Sequence, residues 1–201
     1  MIRHIIVFFV LSFSIISCKY HSKENNAGDQ SEKAEDGPVL EKGAQQGFLA
    51  KFSAFCGKKF EGKEQFRSKH GQSMAAKKMN IRFRICDPDK VVIDFLVDQD
   101  PPISWILAVE NHRLKLMHEH VDASGELVTG SMYGGVANDQ GTEFLQYFPA
   151  DDYTGKLMQG AAENIWILTF AEDLSWFSYR LDRGDEPRLE FRFDLTRPMD
   201  Q

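Results

Sequence analysis

The sequence predicts an all-β fold, an antiparallel up-and-down barrel of about ten strands preceded by one helix, on three observations. Sixteen of the 201 residues are Phe, and several alternate with charged or polar neighbours, the period-2 pattern of strands. Turn-forming clusters punctuate the chain from Lys59 onward at a spacing of roughly 8–12 residues, with little helical periodicity between them. Successive apolar runs are joined by segments short enough for hairpins, so no long crossover is required. Sequential hairpins favour a closed, lipocalin-like (calycin-like) barrel. Two packed sheets, a β-sandwich, are the alternative for the same pattern.

The helix comes first. Leu40, Ala44, Phe48, Phe52 and Phe55 recur at three- to four-residue spacing and make one apolar face, placed to cap an end of the barrel; Cys56–Gly57 ends it. Lys59 to Lys63 reads as a short first strand. Met79, Ile81, Phe83 and Ile85 alternate with Lys78, Asn80, Arg82 and Arg84 as the clearest strand. Val91 to Val97 is nearly continuous in apolar residues and predicts a strand covered on both sides, interrupted by Asp94. Pro101–Pro102 marks the turn before Ile103 to Val109, and Asn111–His112 connects to a strand over Leu114 to His120. The turn Asp122–Ala123–Ser124–Gly125 then leads to an expected strand over Leu127 to Tyr133. Further strands are expected at Thr142–Phe148, Asn164–Phe170, Ser175–Leu181 and Arg188–Leu195. A short helix is expected within Ala150 to Ala162, with Asp151 or Asp152 at its start.

The chain divides into a leader, residues 1–17, a segment 18–38, and a single barrel domain, 39–201. Arg3 and the apolar run Ile5 to Ile16 have the layout of a signal peptide, and the run is shorter than the about 20 residues a membrane span needs. Ile15–Ile16–Ser17–Cys18 resembles the cleavage box of bacterial lipoproteins. The resemblance implies cleavage before Cys18, acylation of its thiol and new amino terminus with palmitate-like chains, and a membrane as the partner held through Cys18. An ordinary secretory signal and a lone transmembrane helix are the other readings of the same residues. Lys19, rather than Asp, after the cysteine fits the outer-membrane sorting pattern of enteric lipoproteins. Residues 19–38 contain no Ile, Leu, Met, Phe or Trp and no Val, too little apolar surface to offset the cost of ordering, and read as a tether reaching roughly 25 Å.

Twenty-four basic side chains stand against 30 acidic, a formal net charge of −6, and removal of Arg3 with the leader makes it more negative. With no Lys/Arg-rich run, a nucleic-acid partner is not expected. The domain keeps two cysteines, Cys56 and Cys86, and in an oxidising compartment an even pair predicts a disulfide. Neither has the spacing of a zinc or redox motif.

The most unusual chemistry lies in Leu114–Lys115–Leu116–Met117–His118–Glu119–His120. Period-2 alternation puts His118 and His120 on the face of Leu114 and Leu116, so both rings are expected to point inward. Their Cβ atoms would stand about 6.6 Å apart, close enough to share one ion. Two hairpin registers are open. With Val121 opposite Glu126, residues Thr129, Ser131 and Tyr133 join the histidines' face; a slip of one brings Glu126 there instead. The first register makes a hydrogen-bonded polar spot, the favoured reading. The second makes the weaker alternative, a metal set of His118, His120 and Glu126. Trp105, Trp166 and Trp176 are too far apart for a local box and read as core, with any that face inward lining a cavity.

His118–Glu119–His120 ahead of an acidic, Gly-containing turn, Met132–Tyr133–Gly134–Gly135, and Phe148–Pro149–Ala150–Asp151 resemble a family of uncharacterised exported bacterial proteins. That family's histidine strand carries a third alternating histidine where this chain has Leu116, and the resemblance implies an exported β protein without a defined activity. The chain has no Gly-x-Ser-x-Gly elbow, no His-Glu-x-x-His and no phosphate-binding glycine loop, and Gly134–Gly135 reads as a bend or bulge. The expected function is a membrane-anchored lipoprotein whose barrel binds a small, largely apolar ligand at His118, His120, Tyr133, Thr129, Ser131 and Trp105, with no catalytic residues and no cofactor. The alternative is an envelope or surface protein-interaction module with a filled barrel. A metal-dependent enzyme using His118 and His120 comes third.

Overall fold

The computed structural model describes residues 40–69 and 71–200; the leader, Cys18 and the tether lie outside the described residues. A helix α1 (Gly43–Ala50) and a 3₁₀ turn (Lys51–Phe55) precede five long strands: β1 (Lys59–Arg67), β2 (Met79–Asp87), β3 (Lys90–Val97), β4 (Ile103–Glu110) and β5 (Arg113–His120). The short strands β6 (Tyr133–Val136) and β7 (Leu145–Pro149) follow, then helix α2 (Asp152–Leu157), a 3₁₀ turn (Ala161–Glu163), β8 (Asn164–Phe170), β9 (Trp176–Arg183) and β10 (Glu186–Pro198). The order β6-β5-β4-β3-β2-β1-β10-β9-β8-β7 is one antiparallel meander, with β10 paired to β1. The barrel is therefore laddered all round except between β6 and β7. There Asn138 N–H donates to Tyr147 O and Asp151 N–H to Gly134 O, each at 2.9 Å. This is the lipocalin-like architecture the alternation predicts, and the sandwich alternative is not the fold.

One end is plugged. The switch from α-helix to 3₁₀ at Lys51 matters because three residues per turn align Phe52 with Phe55, and both point into the barrel behind Phe48. These three pack among Phe60, Phe83, Phe170 and Phe177, with centroid separations from 4.9 Å (Phe52–Phe170) to 6.0 Å (Phe55–Phe170). Gln45 is buried with them, and its Oε1 accepts the Leu114 N–H at 2.8 Å, satisfying the start of β5. Cys56 and Cys86 form the expected disulfide, tying the end of the plug to β2.

Val91–Val97 is covered on both faces, and Asp94 is the reason the outer face tolerates it. Its carboxylate, 3 % exposed, accepts from Arg82, Arg84 and Ser104, so no lone pair is stranded. Beside it Val92, Ile106 and Met117 form a small second cluster on the outer wall.

The expected strand over Leu127–Tyr133 is not formed. Val121 bridges Leu127, and Val128 N–H donates to His120 O; two residues back along β5, His118 O takes Met132 N–H. Four residues of the return thus span two of β5, and the surplus bulges out through Gly130 and Met132, both at positive φ. The register near the turn is the slipped one, and beyond the bulge a different pairing returns Tyr133 to the histidines' face, opposite His118. Strand β6 begins only there.

Gly134 and Gly135 are interior residues of β6, not a bend. A Cβ on Gly134 would stand 1.9 Å from Leu116 O, and one on Gly135 1.7 Å from Pro149 O. Only glycine lets β6 lie this close to β5 on one side and to β7 across the unladdered seam. Asp151 caps α2 as expected, accepting from Thr154 N–H at 2.9 Å. The Thr154 hydroxyl accepts the Gly134 N–H at 2.8 Å and lies 2.9 Å from Gly134 O, so the helix cap also seals the seam.

Candidate ligand-binding pocket

The other end of the barrel is open. Where α1 fills one half with phenylalanine, the half toward the β3–β4 and β9–β10 turns holds a chamber of about 390 Å³. Its wall includes Phe95, Trp105, His118, Tyr133, Trp166 and Tyr179, and Met74, Pro101 and Met158 edge its mouth. Met74 is carried by the β1–β2 loop, which Glu64 fastens down by accepting from Ser73 Oγ and Met74 N–H at 2.7 and 3.0 Å.

The floor is an aromatic layer with one fixed polar core. Trp105 stacks on Tyr179 at 4.2 Å and on Phe95 at 5.0 Å. The His118 ring stacks on Tyr133 at 4.7 Å and leans on Trp166 at 5.0 Å. Its Nδ1 is 3.1 Å from the Tyr133 carbonyl and its Nε2 2.8 Å from the Tyr179 hydroxyl. A carbonyl can only accept, so Nδ1 carries the proton; Nε2 of the neutral ring is then an acceptor, and Tyr179 donates. The geometry sets tautomer and rotor together.

Protonation would put a charge in this buried layer and force the Tyr179 hydroxyl from donor to acceptor. Burial is the main cause that lowers the His118 pKa from 6.5 to about 3; the Tyr133 carbonyl opposes it, and His120 adds to it. His120 is half-buried and also shifted down by desolvation. Its Nε2 lies 3.0 Å from the Tyr133 hydroxyl. Burial raises Tyr133 to about 12; burial, and then nearby Tyr133, also raise Tyr179 well above the ordinary phenol value. At neutral pH the floor therefore presents four uncharged rings.

Three of the expected pocket residues line the chamber: His118, Tyr133 and Trp105. His120 sits behind Tyr133, bonded to its phenol. Ser131 is buried beside it and its Oγ accepts the His120 backbone N–H at 2.8 Å, so it serves the bulge and not the chamber. Thr129 is exposed, because the Val121–Glu126 register that would have turned it inward is not the one formed: Val121 pairs with Leu127. Glu126 is exposed on the turn, its N–H held by Asp122 Oδ1 at 3.1 Å. It does not join His118 and His120, and among the described residues no three His, Cys, Asp or Glu side chains converge as a metal-holding group. Tyr179 and Trp166, which hold the His118 ring, carry no local signal as partners of the histidines. Both alternate inward on β8 and β9, but only closure of the barrel brings them across to β5.

No protein-family model and no curated protein matches the chain.

Proposed function

We propose that this protein is an exported, membrane-anchored lipoprotein whose barrel binds a small, largely apolar ligand in the aromatic chamber. The observation that carries the binding half is the division of the barrel interior: one half solid with phenylalanine, the other an open chamber of about 390 Å³. At interior packing density this suits roughly a dozen non-hydrogen atoms. The walls are pre-formed, since the Trp105, Tyr179, His118 and Tyr133 rings hold one another by stacking and by hydrogen bonds that leave no ring to rearrange. Pre-organised apolar walls with a few convergent polar groups are the usual construction of a small-molecule site. An interior cavity, more than any outer patch, favours this over the interaction-module reading. His118 is engaged through both ring nitrogens in an uncharged network, which does not favour the enzyme reading.

The anchoring half rests on the Ile15–Ile16–Ser17–Cys18 box and the apolar-poor tether, and the outer membrane is its proposed site on the strength of Lys19. Two or more acyl chains on Cys18 give stable anchoring, each buried CH₂ contributing about 0.8 kcal/mol.

Native mass spectrometry of protein extracted from its own host tests binding. A retained small molecule, lost when Leu181→Trp fills the chamber, is the expected result; an adduct-free wild type that takes up no added apolar probe would refute it. Cys18→Ala tests anchoring. The variant should accumulate as an unprocessed precursor that no longer carries acyl chains, and maturation identical to wild type would refute the lipoprotein assignment.

A further inference from the structure

The chamber has one polar corner, and its composition is one-sided. Strands β8 and β9 pair Asn164 with Arg183, Trp166 with Leu181 and Leu168 with Tyr179, and these alternate positions face the interior. A polar pair thus crowns a column of apolar and aromatic residues. Arg183 Nε donates to Asn164 Oδ1 at 3.0 Å, which fixes the amide and turns its Nδ2 away from that bond. Asn164 is only 4 % exposed and lines the chamber together with Arg183. Arg183 lies against the turn at Gly160, its Nη1 3.5 Å from where a Cβ there would stand. No carboxylate among the described residues pairs with its guanidinium. The acid on the chamber wall, Asp100, is tied to Lys77 at 3.1 Å. The corner therefore offers N–H donors and a positive charge that no carboxylate among the described residues pairs with.

We propose that the chamber selects amphipathic organic anions. A carboxylate, sulfonate or phosphate-ester head accepts from Arg183 Nη and Asn164 Nδ2, and its ring or short chain lies down the column over Trp166, Leu181 and Tyr179. This rests on the reading of the chamber as a ligand site and adds the chemistry of the ligand's head. A planar guanidinium beside an amide N–H₂ suits a two-oxygen acceptor, and the apolar surroundings strengthen a charge-assisted bond. A neutral ligand of equal shape brings no charge for the guanidinium to complement and gives up the charge-assisted bond.

The full chain in lipid nanodiscs, with empty discs as blank, is titrated at pH 8 with 4-phenylbutyrate and with 4-phenylbutan-1-ol, reading tryptophan fluorescence. The acid should bind about tenfold tighter than the alcohol. Arg183→Met should abolish the preference by weakening the acid to the affinity of the alcohol. Asn164→Asp keeps the fold by pairing with Arg183, occupies the head position with its own carboxylate, and should abolish it too. Equal affinities in the wild type would overturn the anion assignment while leaving the chamber a ligand site. A preference that survives both variants would overturn the assignment of the head to this corner. If neither probe binds, the chamber reading fails and takes this inference with it.

Discussion

Tyr179 donates its phenolic proton to Nε2 of His118 across 2.8 Å, from β9 to β5, while the same tyrosine stacks on Trp105 of β4. One hydrogen bond thus joins the two halves of the barrel at the level where solid core gives way to chamber. Tyr179→Phe keeps the stacking and strands the Nε2 lone pair. Loss of about 1–3 kcal/mol is expected by urea unfolding, the cost of an unsatisfied buried acceptor. A loss below a few tenths would mean that water or a rotated ring replaces the bond.

Burial of the His118 ring also makes stability pH-dependent. The folded pKa of His118, about 3, lies below the unfolded value of 6.5, so the unfolded chain binds the extra proton between them. Its contribution is complete above pH 6.5 and is lost as pH falls toward 3, by up to about 1.4 kcal/mol per pH unit. Half-buried His120 acts in the same direction. Of the groups packed on His118, namely Tyr133, Tyr179, Trp166 and His120, only His120 also titrates in that window. His118→Gln can still accept from Tyr179 and donate to Tyr133 O. Unfolding between pH 5 and 6.5 should show a clearly flatter slope in this variant than in wild type.

The seam between β6 and β7 is the place where the barrel tolerates least. Gly134→Ala and Gly135→Ala each drive a Cβ into a backbone carbonyl, at 1.9 and 1.7 Å, with no flexible side chain to yield. Each should cost more than about 3 kcal/mol or prevent folding. Gly43→Ala, with nothing within 4 Å of its Cβ, is the control and should be neutral or stabilising by up to about 1 kcal/mol. Thermal melts of the three variants give the comparison directly.

The Cys56–Cys86 bond closes a loop over a sequence separation of 30 residues. Its removal in a Cys56→Ser/Cys86→Ser variant should lower stability by about 3–4 kcal/mol on the chain-entropy model, with the chamber's probe affinity unchanged because the bond lies at the plugged end. A loss confined to probe affinity would contradict that separation of roles.

Local signals were legible where local physics decided the outcome. Alternation at Met79–Ile85 and Leu114–His120 reads directly as strands because one face must be buried, and the Phe48, Phe52 and Phe55 spacing reads as a helical plug for the same reason. Asp151 as a helix cap and the cysteine pairing are likewise local in kind. What could not be read is what closure creates. Carrying one register through the hairpin puts Thr129 and Ser131 on the histidines' face, whereas Val121 pairs with Leu127 in the slipped register and the bulge at Gly130–Met132 then shifts it again. Tyr179 and Trp166 become neighbours of His118 only through the β1–β10 ladder, over a sequence distance of about 50–60 residues that no period spans. Gly134–Gly135 resembled a bend because nothing in a sequence reports how near a facing carbonyl lies.

The central claim is that small apolar molecules enter the chamber floored by His118 and Tyr179, and the protein's tryptophans supply an internal control. Trp105 and Trp166 line the chamber, whereas Trp176 sits on the outer wall beneath Arg192, 4.3 Å from its ring centre. ¹⁹F NMR of the 5-fluorotryptophan-labelled chain, titrated with 4-phenylbutan-1-ol, separates the two environments. Saturable shifts at Trp105 and Trp166 with Trp176 unmoved are predicted. Shifts at Trp176 alone, or at none of the three up to millimolar probe, would contradict the account.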